Sequence, residues 1–116
     1  MTTIYGIQNC DTIKKARNYL EQHHIDYTFH DYRRDGLTEQ QLVIWVAELG
    51  WESLVNKRST TWRQLPASLK NTLDESMAIK VMLDNPTVIK RPLLEQNECI
   101  YLGFSVAGYN EIFQQC

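Results

Sequence analysis

A cysteine stands near the N-terminus where a strand should give way to a helix. Ile4-Tyr5-Gly6-Ile7-Gln8-Asn9-Cys10-Asp11-Thr12-Ile13-Lys14-Lys15-Ala16 reads as a short apolar strand, a polar turn and the opening of an amphipathic helix. A thiol in such a turn faces unpaired backbone N–H groups and the positive end of the helix dipole, which favour thiolate over thiol. Thiolate is the form that attacks disulfides, oxyanions and other electrophiles. The alternative is an inert cysteine serving as a small hydrophobe, the commoner fate of a free thiol. Two charge features bear on the choice. Lys14, Lys15 and Arg17 crowd helical turns where carboxylates are favoured, a broken local rule of the kind expected where function overrides stability. Taken alone, the same charges are equally a solvated basic face. Asp11 acts in the opposite sense, because its carboxylate would disfavour a thiolate if it pointed at the sulfur.

Other chemistry is sparse. Cys10, Cys99 and Cys116 are odd in number and far apart, with no C-x-x-C pair, so neither a disulfide framework nor a zinc site is indicated. Cys99 reads as a core residue of a strand, and Cys116 as an incidental or flexible resolving thiol. His23, His24 and His30 have no carboxylate or cysteine partner at ligand spacing, so no metal site is assigned. Twelve basic and fourteen acidic residues give a net charge of −2, which argues against a nucleic-acid binder relying on a broad basic face. No run approaches the ~18 apolar residues of a membrane span. The start Met1-Thr2-Thr3-Ile4 lacks the charged and apolar regions of a signal peptide, so a cytoplasmic protein with free thiols is expected.

The elements that must position Cys10 follow from periodicity. Ile13, Ala16 and Leu20 share one helix face, and Ile25-Asp26-Tyr27-Thr28-Phe29-His30 alternates as a half-buried strand, which together suggest a right-handed parallel βαβ unit. Thr38-Glu39-Gln40-Gln41 is a capping box for a helix carrying Leu42, Trp45, Val46 and Leu49 and stopped by Gly50. Short helical signals continue, and Asp74 caps a helix from Glu75 to Leu83, so residues 38–84 read as a helical insertion. Strand signals return at Thr87-Val88-Ile89 and Leu93-Leu94, then at Cys99-Ile100-Tyr101-Leu102 beyond a turn at Asn97. Ser105 caps a last helix with Tyr109, Ile112 and Phe113 facing the core. The 116 residues suit a single domain. The order is βαβ then ββα, with a mixed four-stranded sheet and a helical insertion between the second and third strands. That is the plan of an α/β thioredoxin-like fold.

Four separated stretches carry a family likeness: Gly6 to Arg17 around the cysteine, Arg58-Ser59-Thr60-Thr61-Trp62-Arg63, Ile89-Lys90-Arg91-Pro92-Leu93, and Gly103-Phe104-Ser105. Together they resemble the arsenate reductase (ArsC) family, most closely its YffB branch, with Spx more distant. The resemblance implies that Cys10 is the catalytic cysteine and that Arg58 and Arg91 hold an oxyanion or carboxylate or stabilise the thiolate. It further implies that Pro92 follows a cis peptide bond. Guanidinium groups suit those roles, because their planar forks bind such anions bidentately. Read without the family, Arg58 and Arg91 would be ordinary surface charges.

Three departures narrow what the resemblance implies. The arsenate reductases place a histidine four residues before the cysteine, where this chain has Gly6. They supply a third arginine after the last strand, yet no residue between Pro92 and Cys116 is Lys or Arg. The C-x-x-C switch of Spx-like relatives here reads Cys10-Asp11-Thr12-Ile13. The expected activity is therefore a glutathione-dependent thiol/disulfide reductase acting on glutathione mixed disulfides or small disulfides. Cys10 would form the mixed disulfide and an external thiol would resolve it. Lys14, Lys15, Arg58, Arg91 and Pro92 would bind the ligand or activate the thiolate. No bound cofactor is expected, glutathione being a co-substrate with glutaredoxin as a candidate partner, and the chain is expected to be a monomer free of nucleic acid and membrane. The alternatives are arsenate reduction coupled to glutaredoxin and glutathione, and an Spx-like regulatory module that binds a protein partner.

Overall fold

A computed structural model describes residues 2–8 and 10–114. In chain order the elements are β1 (Thr2–Gly6), α1 (Asp11–Gln22), β2 (Thr28–Asp31), α2 (Tyr32–Asp35), α3 (Glu39–Leu49), α4 (Trp51–Leu54), α5 (Thr60–Gln64), α6 (Ala67–Asn71), α7 (Glu75–Asp84), a 3-10 turn (Pro86–Val88), β3 (Leu93–Gln96), β4 (Cys99–Leu102) and α8 (Val106–Gln114). They form two compact units, one of Met1–Asp35 with Arg91–Cys116 and one of Gly36–Lys90. None of these helices is long and apolar enough to cross a membrane.

The first unit is built on a four-stranded sheet of order β2-β1-β3-β4, with β1 and β2 parallel and the other two pairs antiparallel. This is a thioredoxin-like α/β arrangement, with the helical segment inserted between β2 and β3. Period-3.6 burial drives α1 onto the sheet: Ala16, Tyr19 and Leu20 are buried with Ile4, Leu94 and Tyr109, and Phe104, Ile112 and Phe113 pack against them. Each fully buried Leu or Ile there contributes about 1.5–3 kcal/mol. Tyr19 stacks edge-on to Tyr109 at 5.4 Å and donates its hydroxyl to Asn110 Oδ1, which ties α1 to α8.

Chain reversals explain where the elements stop. α1 ends in a Schellman motif: the Ile25 N–H donates to Leu20 O and the His24 N–H to Glu21 O, with His24 at φ 56 in the left-handed region that glycine ordinarily occupies. The strand expected from Ile25 therefore begins only at Thr28, because the Ile25 N–H already belongs to the helix end. Asn97 (φ 49) and Glu98 (φ 70) make the two-residue hairpin between β3 and β4, both in the left-handed conformation of a type I′ turn.

The second unit is helical. The Thr38 side chain accepts from the Gln41 N–H, and the Gln41 side chain accepts from the Thr38 N–H, completing the expected capping box. Gly50, at φ 81, follows the last turn of α3, and Asp74 caps α7 by accepting from the Met77 N–H at 2.9 Å. Leu42, Trp45, Leu54, Ala78 and Met82 are all buried. The strand expected at Thr87-Val88-Ile89 is instead a 3-10 turn followed by a single antiparallel bridge between Ile89 and Val55. Pro86 starts that turn with a fixed φ and no N–H. The Val88 and Ile89 N–H groups then donate to the Asn85 and Pro86 carbonyls, so neither is left for a ladder.

Candidate active site at Cys10

Cys10 is the N-cap of α1. Its backbone is extended, at φ −103 and ψ 129, and its carbonyl accepts the first helical bond, from the Lys14 N–H at 3.1 Å. No side chain caps this helix end, a position usually held by Ser, Thr, Asp or Asn. The cysteine is half-buried and free, so a thiol stands where a helix presents N–H groups and the positive end of its dipole.

Packing under this turn fixes its course. Gly6, the last residue of β1, is buried, and a Cβ built on it would lie 2.2 Å from Ile13 Cδ1 and 2.9 Å from Ile13 Cγ1. Ile13 is fully buried and lies three residues beyond Cys10. The space that a side chain at position 6 would need is thus filled by the first turn of α1. A histidine there, as in the arsenate reductases, has no room while Ile13 keeps this place. Helical spacing in the sequence shows Ile13 as interior, but only the tertiary contact shows that it excludes a side chain at position 6.

Arg91 and Pro92 reach the same end of the sheet. The β1–β3 register pairs Tyr5 with Leu93, which sets Pro92 opposite Gly6, and Arg91 Cγ lies 4.0 Å from the Cβ position of Gly6. The Arg91-Pro92 peptide is cis, as the resemblance implies, and Pro92 is buried. The Arg91 side chain is half-exposed and has no ion-pair partner among the described residues. Its charge is felt at the buried Tyr32 hydroxyl, whose pKa is raised chiefly by burial and further by Tyr5, with Arg91 opposing. Tyr32, Tyr5 and His30 form an aromatic group beside this end of β1, with the Tyr5 and Tyr32 rings 6.4 Å apart. Nothing in the order of residues singles these three out, because it is strand pairing that joins them.

Lys14 and Lys15 are exposed on α1 and have no ion pair among the described residues. Arg17 is spent otherwise: its Nε donates to the Tyr27 hydroxyl at 3.0 Å and its guanidinium covers the Phe29 ring at 4.4 Å. Arg58 belongs to the second unit, is exposed, and donates its backbone N–H to Asn56 Oδ1, just before the N-cap Ser59 of α5. Nearby, Lys57 and Lys70 lie 5.9 and 5.7 Å from the centroid of the Trp62 ring. Among the described residues no three His, Cys, Asp or Glu side chains converge as a metal site.

Cys99 departs from the expected core position. It opens β4, an edge strand, and is exposed. The register also separates it from Cys10: Cys99 pairs with Gln96 and Gln96 with Thr2, at the far end of β1 from the Cys10 turn. Four strand residues at about 3.4 Å each and two strand spacings of about 4.8 Å lie between, well beyond the ~7 Å Cα limit of a disulfide. Cys10 and Cys99 do not pair within one chain. Cys116, expected as an incidental or flexible resolving thiol, lies outside the described residues.

Comparison with known proteins agrees with this architecture. The ArsC family pattern matches residues 5–112. A protein of Haemophilus influenzae is 48% identical over 113 residues, 97% of this chain and 99% of that one. The global transcriptional regulator Spx 2 of Lactococcus lactis is 28% identical over 107 residues, 90% of this chain and 80% of the regulator. Among solved structures, the YffB (PA3664) protein superposes with a TM-score of 0.91 at 42% identity, over 96% of this chain and 97% of that one. An arsenate reductase (ArsC) related protein from Brucella melitensis gives 0.79 at 45% identity, over 97% and 94%. With a cysteine at the helix cap, a cis-proline at the same sheet end and the family pattern running almost end to end, the chain belongs to the ArsC family.

Proposed function

We propose that this chain is a glutathione-dependent thiol reductase working through Cys10. The observation that carries the reading is the place of Cys10 as an N-cap without a side-chain cap, at the sheet end that also holds Arg91 and Pro92. In the first step the Cys10 thiolate attacks the glutathionyl sulfur of a mixed disulfide RS–SG. A Cys10–glutathione disulfide forms, and the substrate leaves as RS−, which takes a proton from water. A second glutathione thiolate then attacks the glutathionyl sulfur of the adduct, yielding oxidised glutathione and returning the Cys10 thiolate. In sum, RS–SG and one reduced glutathione become RSH and oxidised glutathione, with no further oxidant or reductant. Lys14, Lys15 and Arg91 engage the carboxylates of glutathione and Pro92 aligns its backbone beside the sulfur, while a role for Arg58 in ligand binding rests on the family likeness alone. The place of Cys99 at the far end of the sheet supports resolution by an external thiol.

The test is treatment of the chain with oxidised glutathione, mass spectrometry of the product, and turnover of a glutathionylated peptide with glutathione. An adduct mapped to Cys10 is expected, with that adduct and turnover both lost in Cys10→Ser. Turnover that survives Cys10→Ser refutes the reading. Arsenate is a poorer substrate on this reading: Gly6 excludes the histidine, and a third arginine after the last strand is missing. Similarity to Spx 2 supports a second reading, a module that binds a protein partner. Such a module keeps its partner in Cys10→Ala, whereas the reductase loses its activity.

A further inference from the structure

The opposite edge of the sheet carries a feature that the Cys10 chemistry does not use. A groove of about 730 Å3 is walled by Ile100, Tyr101, Leu102 and Phe104 on one side and by Glu111 and Ile112 of α8 on the other. Successive strand residues point to opposite faces, so a cavity walled by three consecutive residues of β4 runs beside the backbone, along its open edge. The hairpin settles which backbone groups face it. With a two-residue turn, Gln96 and Cys99 exchange ladder hydrogen bonds, and so do Leu94 and Tyr101 two residues on. The Gly103 N–H bond to Pro92 O at 2.9 Å continues that alternation. The N–H and C=O groups of Ile100 and Leu102 therefore point away from β3, and among the described residues no strand lies beyond β4.

Charge says what fits there. Residues 93–114 contain Glu95, Glu98 and Glu111 and no Lys or Arg, and Glu111 stands on the groove wall. Lysines, which commonly guard an edge strand against pairing, are absent from this one. We infer that the β4 edge is a docking strip for an extended, basic segment of another protein, which adds as a fifth strand. Main-chain bonds to Ile100 and Leu102 supply the register, the apolar walls take alternate side chains, and Glu111 pairs with a Lys or Arg of the segment. A second copy of this chain is a poor occupant, because it would bring the same carboxylates against these.

The test is an amide NMR titration of the full chain with a capped six-residue peptide of alternating Lys and Val, alongside a Glu–Val counterpart. Shifts centred on Ile100 to Leu102 and on Glu111, with slowed amide exchange at Ile100 and Leu102, are expected for Lys–Val alone. Ile100→Pro removes one outward donor while sparing the ladder to β3, and weakens binding by about threefold to tenfold. Glu111→Lys, at an exposed helix position, weakens Lys–Val binding and strengthens Glu–Val binding, and serves if the proline variant melts early. The proposal is overturned by absence of shifts at millimolar peptide, by equal binding of the two peptides, by affinity that neither variant changes, or by self-association of the free chain through β4.

Discussion

Replacing Gly6 by Ala tests whether the β1–α1 packing holds the Cys10 turn in place. The added methyl would sit 2.2 Å from Ile13 Cδ1 and 2.9 Å from Ile13 Cγ1, far inside ordinary contact, so the fully buried Ile13 side chain must shift to admit it. Overpacking of this kind costs about 1–3 kcal/mol. Gly6 is not in the left-handed region, so Ala also gains about 0.4–1 kcal/mol by restricting the unfolded chain. The net expectation is a loss of about 0.5–2 kcal/mol in urea unfolding. Ile13→Val removes Cδ1 and alone costs about 0.5–1.5 kcal/mol. If the clash is the cause, the double variant is more stable than the sum of the single effects predicts, by at least about 0.5 kcal/mol. The second assay is the alkylation rate of Cys10 by iodoacetamide at fixed pH, read against Cys99 in the same molecule. It should fall in Gly6→Ala and recover in the double variant, since Ile13 and Cys10 share one helical turn. Strict additivity, with an unchanged Cys10 rate, would refute the positioning argument.

Three further variants probe the scaffold. His24→Gly should stabilise the end of α1 by about 1 kcal/mol in chemical denaturation, because His24 holds a left-handed C′ position that glycine adopts without a Cβ penalty. Thr38→Ala should cost about 1 kcal/mol in the same assay by opening the capping box of α3. Tyr109→Phe removes a buried hydroxyl that has no hydrogen-bond partner among the described residues, so stability at neutral pH should hold or rise by about 1 kcal/mol. Burial raises the Tyr109 pKa above its ordinary 10.0, so the folded state keeps the proton more tightly. The contribution is whole below pH 10 and is lost as pH rises beyond it, so the variant should flatten alkaline destabilisation by about 1.4 kcal/mol per pH unit.

Local signals carried most of the fold. The Thr38 box, the Gly50 stop, the Asp74 cap and the Asn97 turn depend on neighbours a few residues away, and each is legible in the sequence for that reason. The misses depend on distant partners or on a competing local bond. Thr87-Val88-Ile89 has strand composition, but Pro86 commits their N–H groups to a turn. Cys99 has strand neighbours, yet burial depends on whether its strand is central or at the edge, which pairing order decides. At the site, Cys10 is legible because a helix cap is local. The cis bond before Pro92 came from the family likeness, since residue types alone favour trans. The Gly6–Ile13 exclusion joins two residues of one stretch, yet it depends on how α1 packs back against β1, which their types do not state.

The central place of β1 sets a schedule for the newborn chain. One side of this strand pairs with β2 soon after synthesis, but the other waits for β3, whose Gln96 lies 94 positions beyond its partner Thr2. At about 5–20 residues per second, translation leaves that edge open for roughly 5–20 s, while Ile4, Tyr5 and Ile7 have yet to find their full cover. For that interval the strand that leads into Cys10 carries an unpaired edge open to other extended chains. Ribosome stalling within the helical insertion would prolong its exposure, and a holdase that grips extended apolar segments would find its target in the first ten residues.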